Sequence, residues 1–235
     1  MKCSSGVGFN PVVDGKQLLF EIVDLQQGVF TMRDHVTGTL WNHLDGRATG
    51  GSLKGARLPM IALQQTTWAA WLAEHPRTTV LAFDTPWQRN YRLVPIGEFA
   101  PDEARFGDGR LPPNELVLGV ESNDTFRGYQ LSALKKAGGV VNDTLGGHPI
   151  VAAYDGKTGN AMAYSRRVGG TDVKFALTTD AGRSMLEDTA SGSRWTLGGQ
   201  PVSGTLATPL EFVPSIITEW YGWSAYHPQS SIHGR

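Results

Sequence analysis

The sequence predicts a mainly β fold with minor α content. It is built from two related antiparallel sheet or partial-barrel units, each carrying one short Trp-rich helix. Three observations predict this. An ordered set of Asp, Gly, Trp and His-Pro positions occurs twice. Short apolar runs are joined at Asp-Gly and Gly-Gly pairs, which is a hairpin signal. The 235 residues include 29 glycines and 13 prolines with 18% charged residues, which suits short strands and turns better than a helical bundle.

The repetition is read from offsets. Asp34, Gly38 and Trp41 recur 154 positions later as Asp188, Gly192 and Trp195. Gly46 and Gly51 recur 153 positions later as Gly199 and Gly204. Trp68, Trp71, His75 and Pro76 recur 152 positions later as Trp220, Trp223, His227 and Pro228. The slips are of one residue, as small loop deletions produce. A long repeat occurring twice is a duplicated domain; solenoid periods run roughly 20 to 50 residues. The expected organisation is a first unit over residues 1–83, a Pro-rich connector over 84–115 and a second, more complete unit over 116–235, packed as a pseudo-two-fold duplicate. The first unit has no counterpart of residues 116–160, so it reads as cut short at its amino-terminal end.

In chain order, residues 6–10 and 161–165 read as equivalent strands. Asp14-Gly15 and Gly169-Gly170 then turn the chain into the apolar runs at Leu18–Ile22 and Val173–Leu177. Strands follow at Val29–Arg33 and Ser184–Glu187. Asp34 to Gly38 reads as a turn whose Asp accepts backbone N–H bonds and whose Gly supplies a positive φ. Asp188 to Gly192 repeats it. Trp41 and Trp195 return the chain to the core. Thr66 or Thr67 caps a helix with Trp68, Trp71 and Leu72 on one face, and Pro76 stops it. The second helix carries Trp220 and Trp223 likewise. The helical spacing and repetition of these tryptophans make them core residues. A strand is expected near Thr79–Phe83, another at Leu116–Val120, a brief helix within Gly128–Leu134, and a hairpin of Gly139–Asp143 with Pro149–Tyr154 about Gly146-Gly147.

The bulk numbers exclude several functions. Lys plus Arg is 21 and Asp plus Glu is 22, a net charge of −1, which supports no nucleic-acid or anionic-membrane binding by bulk electrostatics. No stretch approaches the ~18 apolar residues of a membrane span. Cys3 is alone, so no internal disulfide forms. No dinucleotide-binding glycine pattern, Walker loop or nucleophile elbow occurs. No histidine pair has zinc spacing, and the sequence does not say which cofactor, if any, the protein uses.

The order Val13-Asp14-Gly15, Asp34-x-x-Thr37-Gly38-x-x-Trp41, Gly46 with Gly51, and Trp68-x-x-Trp71-x-x-x-His75-Pro76 resembles a prokaryotic family, domain of unknown function 3179. Arg89-Asn90-Tyr91, Arg110-Leu111-Pro112-Pro113, Val117 to Val120, and Asn142-Asp143 before Gly146-Gly147 agree, so the resemblance spans nearly the whole chain. It implies no activity. Members of that family often carry Cys-x-x-Cys just before the Val-Asp-Gly strand, and Cys3 looks like its second half.

Three functional readings follow. The first is a binding or structural module, extracytoplasmic if a signal peptide precedes this start. The second is a thiol-redox or metal-handling protein using the Cys3 region. The third is an enzyme with its site between the two units and Asp143 as the carboxylate. A turn that holds a fold recurs in both copies, whereas a catalytic residue need not. Asp34, Gly38, Trp41, Trp68, Trp71, Asp188, Gly192, Trp195, Trp220 and Trp223 are therefore framework. The binding candidates are the unrepeated Trp87, Tyr91, Asn142 and Asp143. His75 and His227 are expected to finish their helices, each imidazole bonding a free carbonyl.

Overall fold

The repeated Asp-x-x-Thr/Ser-Gly sequence builds the same turn wherever it occurs. In the computed structural model, which describes residues 6–26, 29–81 and 108–235, Asp34 Oδ1 accepts the amides of Val36 (3.0 Å) and Thr37 (2.5 Å). Its Oδ2 accepts the Thr37 hydroxyl at 2.7 Å. Gly38, at φ 70°, donates back to the Asp34 carbonyl at 3.0 Å. Asp188 does the same for Ser191 and Gly192. A third copy, missed in the sequence, closes the hairpin at Asp155-Gly156-Lys157-Thr158-Gly159. There Asp155 accepts the Lys157 amide at 2.8 Å and the Thr158 hydroxyl at 3.0 Å. Each turn satisfies buried backbone donors with a carboxylate, as an Asx turn does.

The first part of the chain holds β1 (Gly8–Phe9), β2 (Val12–Val13), β3 (Lys16–Gln17), β4 (Phe20–Gln26), β5 (Val29–Asp34), β6 (Leu40–Asn42), β7 (Ala48–Gly50), β8 (Met60–Ile61) and α1 (Trp68–Glu74). Strands β4-β5-β6-β7 form an antiparallel sheet, and β1 pairs with β8. Its core is small: Leu18, Trp41, Ala48 and Leu58, with Phe9, Phe20 and Met32 half-buried around them.

The later part begins with β9 (Leu116–Ser122), β10 (Thr125–Gln130), α2 (Leu131–Lys136), β11 (Val140–Leu145), β12 (His148–Tyr154) and β13 (Ala161–Ser165). It continues through β14 (Arg167–Val168), β15 (Thr171–Asp172), β16 (Phe175–Asp180), β17 (Arg183–Asp188), β18 (Arg194–Thr196) and β19 (Pro201–Ser203). It ends with β20 (Phe212–Val213), β21 (Ser215–Glu219), α3 (Trp220–Tyr226) and β22 (Ser231–Ile232). The sheets are β21-β9-β10-β22, β11-β12-β13-β20 and β16-β17-β18-β19. Alternation along β11 and β12 serves two cores at once. Ile150 and Ala152 face Leu118, Tyr129 and Leu134, while Val151 and Ala153 face Phe175, Leu186 and Trp195.

The two parts share a third core. Leu44 from the first meets Val117, Ile216, Trp220, Trp223 and Ile232 from the second. Beside it lies a charged seam. Arg57 grips both oxygens of Glu121, and Arg47 reaches Glu121 at 3.2 Å and Asp124 at 3.3 Å. Glu121 is 7% exposed, so this pair is largely out of water.

The described residues are mainly β, with three short helices, as the sequence predicts. Some expectations fail. Of the strand expected near Thr79–Phe83, Thr79 to Leu81 form none, and positions 82 and 83 lie outside the described residues. Trp68 is 52% exposed and not core, and Trp71 is half-buried, whereas Trp220 and Trp223 are buried. The reason is local. Trp223 lies over Gly119, where a Cβ would overlap its ring, and Trp220 lies over Gly128. Those glycines belong to β9 and β10, which have no counterpart among the described residues of the first part. Each helix-ending histidine packs at a tilt against the tryptophan of its own helix, with ring centroids 4.2 Å apart for His75–Trp71 and 4.3 Å for His227–Trp223. Among the described residues neither imidazole bonds a carbonyl. Instead the indole of Trp71 donates to Thr78 (2.9 Å) and that of Trp223 to Ser230 (2.7 Å).

Candidate functional site

Asp143 is where polar groups converge. Arg127 and Tyr129 stand two apart on β10, so both point to one face of the strand. From there Arg127 Nη1 donates to Asp143 Oδ2 at 2.5 Å and the Tyr129 hydroxyl at 2.8 Å. The other oxygen, Oδ1, takes the Thr144 amide at 2.7 Å. The carboxyl-terminal segment adds a third group. Strand β22 runs parallel to β10, and the His233 amide bonds the Gly128 carbonyl at 3.0 Å. That places His233 Nδ1 3.3 Å from Asp143 Oδ2, with its ring stacked on Tyr129 at 5.2 Å.

The electrostatics fix the roles. Burial alone would raise the Asp143 carboxyl, but the bonds from Tyr129, Arg127 and the Thr144 amide outweigh it and hold it below the usual carboxylate range. Burial, then the adjacent Asp143 charge, push the Tyr129 phenol upward. Asp143 is therefore a permanent anion at neutral pH. It orients Arg127, Tyr129 and His233 and has no proton to give.

Against this cluster lies a cavity of about 270 Å³. One wall is apolar: Ala133, Leu134 and Ala137 from α2 and its exit, with Val141. The other wall is Tyr129, Gln130, His233 and Arg235. Such a space takes a small molecule with an apolar body and a polar head.

A second cavity, about 220 Å³, lies between α1 and the later part of the chain. Trp71 and Glu74 face Asp155, Lys157, Asn160 and Arg183 across it. The Asn160 amide nitrogen crosses to Gln64 at 3.1 Å. Asp143 is not among its walls, so the predicted carboxylate and the space between the two parts are separate places.

Asn142 does not share the Asp143 site. Its carboxamide donates to the Phe175 carbonyl and accepts the Phe175 amide, both at 2.8 Å, clipping β11 to β16. Cys3, Trp87 and Tyr91 lie outside the described residues. Among the described residues no group of three His, Cys, Asp or Glu side chains could hold a metal, and no helix is long and apolar enough to cross a membrane. Sequence reasoning missed His233, Tyr129 and Arg127. The i, i+2 spacing of Arg127 and Tyr129 on a strand beside Asp143 was the signal available. His233, 90 positions away, gave none.

A family model described as a protein of unknown function, DUF3179, matches residues 2–230. No curated protein and no solved structure matches the chain.

Proposed function

The chain belongs to the DUF3179 family, and from that premise we propose that it is a binding module for a small organic acid. The ligand site is the cavity between α2 and the carboxyl-terminal segment. One observation carries the reading: an apolar wall faces a histidine held in place by Asp143 and Tyr129, with Arg235 among the lining residues. Arg235 donates through Nη1 to the Arg110 carbonyl at 2.6 Å, and no further bond of its guanidinium is made among the described residues. A carboxylate suits Arg235 and His233, while a short alkyl or aryl body suits the wall of Ala133, Ala137 and Val141.

Calorimetry with benzoate and hexanoate tests this, with hexylamine as control. Saturable binding of the acids is expected, weakened about tenfold by Arg235→Ala or His233→Ala and abolished by Ala133→Trp, which fills the space. Acids that bind no better than the amine, or binding indifferent to Ala133→Trp, sink the reading.

The two-unit organisation, residues 1–83 and 116–235 about a connector over 84–115, is part of the same proposal. Its support is the matched turns, the matched indole-to-hydroxyl bonds and the matched strand pairings. The enzyme reading takes a narrower form: Asp143 becomes a positioning residue for His233, supported by their 3.3 Å approach. The thiol reading of Cys3 has no observation to carry it.

A further inference from the structure

We infer that the cavity between α1 and the later part of the chain is a ligand site in its own right, and that it takes a free amino acid with an apolar side chain. It shares no lining residue with the cavity beside α2.

Two distant segments build its most buried wall. The Asp155 turn leads into Asn160, which is 3% exposed. From the loop before α1, the Gln64 side-chain oxygen accepts the Asn160 amide nitrogen at 3.1 Å. Gly198 makes room for that reach, because a Cβ there would overlap the Gln64 side-chain nitrogen. One end of the Asn160 carboxamide is therefore pinned. The other end, Oδ1, is buried and has no partner among the described residues. Buried side-chain oxygens are hydrogen-bonded as a rule. Asn160 lines the cavity, so a donor bound there supplies the missing bond.

The remaining walls carry charge of both signs. Glu74, the last residue of α1, brings a carboxylate whose side chain is 26% exposed. Lys157 and Arg183 are exposed at the rim, and among the described residues neither pairs with a carboxylate. Arg183 makes one long bond, 3.5 Å, to the Ala73 carbonyl. Ala70, Trp71 and Leu197 supply the apolar surface. An ammonium group suits Glu74 and Asn160 Oδ1, a carboxylate suits Lys157 and Arg183, and an apolar side chain suits Trp71 and Leu197. A free amino acid carries all three on one small frame. A plain acid leaves the oxygens unmatched, a plain amine leaves the cations unmatched, and a sugar brings no charge to either. At about 220 Å³ the space is below the range for drug-sized ligands, which fits a molecule of this size.

The probes are tritiated L-leucine and L-phenylalanine, held against the whole chain in equilibrium dialysis. Saturable retention is expected, with the unlabelled amino acid at least about tenfold more effective as a competitor than isoamylamine, isocaproate or glucose. Arg183→Ala and Glu74→Gln should each weaken binding about tenfold, and Ala70→Trp, which fills the space, should abolish it. Arg183 is exposed and Glu74→Gln keeps size and shape, so both variants keep the parent circular dichroism and Tm. They carry the test even where Ala70→Trp fails to fold. No retention of either amino acid by about 10 mM overturns the inference. So does an affinity unchanged by both Arg183→Ala and Glu74→Gln. Glucose that competes as well as leucine assigns the cavity to a sugar, and isoamylamine or isocaproate that does so assigns it to a single charge; either result rejects the amino acid. Retention lowered by Arg235→Ala but not by Arg183→Ala belongs to the cavity beside α2 and rejects it too.

Discussion

His227 should make the protein acid-sensitive in a way that one substitution removes. Its ring is 6% exposed, lies flat against Phe126 at 4.1 Å, and its Nε2 has no partner among the described residues. Burial first, then the Arg47 and Arg57 charges, push its pKa from 6.5 down to about 3. The folded pKa lies below the unfolded one, so the unfolded chain takes up the proton first. Stability is whole above pH 6.5 and falls as pH drops toward about 3. One pKa unit is about 1.4 kcal/mol, so moving from pH 7.5 to pH 5 costs about 2 kcal/mol through this residue alone. His227→Phe keeps the stack on Phe126 and removes both the unpartnered nitrogen and the titration. Replacing an unsatisfied buried group by an apolar one of similar shape is neutral or stabilising. Urea unfolding of both proteins at pH 7.5 and pH 5 is the assay, because carboxylates common to both cancel in the difference. The variant should gain about 2 kcal/mol on the parent between the two pH values. An unchanged difference would refute the reasoning, since it would mean that His227 accepts a proton in the folded state.

Glu219, at the other end of α3, should give the opposite slope. It is buried, and burial raises its pKa from 4.5 to about 7, the Tyr221 hydroxyl pulling it back only in part. Its folded pKa lies above its unfolded one, so its contribution is intact below pH 4.5 and lost as pH rises through 7. Glu219→Gln should therefore be more stable than the parent by about 1–3 kcal/mol at pH 8, allowing for solvent screening, and gain nothing at pH 4.5. Glu121→Ala strands Arg57 in the charged seam and should cost about 3 kcal/mol by denaturant unfolding; a double-mutant cycle with Arg57→Ala should return a coupling of at least about 1 kcal/mol, and additivity would deny the seam its role. Gly51→Ala and Gly204→Ala should each destabilise by about 2 kcal/mol or more. Both sit near φ 100°, and a Cβ would press on the Cα of Thr39 or Ser193. Thermal scans of the two variants that disagree in sign would break the equivalence of the two positions.

Much of the fold was legible because its signals are local. Asp34, Thr37 and Gly38 specify a turn by their own chemistry, and Thr67 caps α1 through a 3.3 Å bond to the Ala70 amide. Repetition separated framework from candidate site, and it placed Asp143 rather than Asp34 among the residues of interest. What was not legible depended on partners distant in sequence. Trp68 and Trp220 have the same local sequence context, yet only Trp220 has Gly128 beneath it. The charged seam joins Arg57 to Glu121 across 64 positions, and no periodicity links them. His233 reaches Asp143 only because β22 runs parallel to β10. A short parallel pairing between distant segments leaves no pattern in the sequence. Asp155 is a different case: its Asp-x-x-Thr-Gly signature was readable and was simply outside the two-copy frame.

The Asp34 and Asp188 turns look interchangeable, and one bond says they are not. In the first, Asp34 Oδ2 also accepts the indole of Trp41 at 2.9 Å. In the second, the indole of Trp195 turns away to the Thr208 carbonyl at 2.8 Å, and Asp188 takes the Lys174 amide at 3.3 Å instead. The first turn is therefore self-contained within eight residues, whereas the second draws on a loop thirteen positions further on. Transplanting residues 34–41 into the second position would bring along everything that turn needs. The reverse graft would leave the Trp195 indole without its Thr208 acceptor, because that loop stays behind. Sequence likeness between the copies is thus no guarantee of exchange, and modular shuffling of this hairpin can run in one direction only.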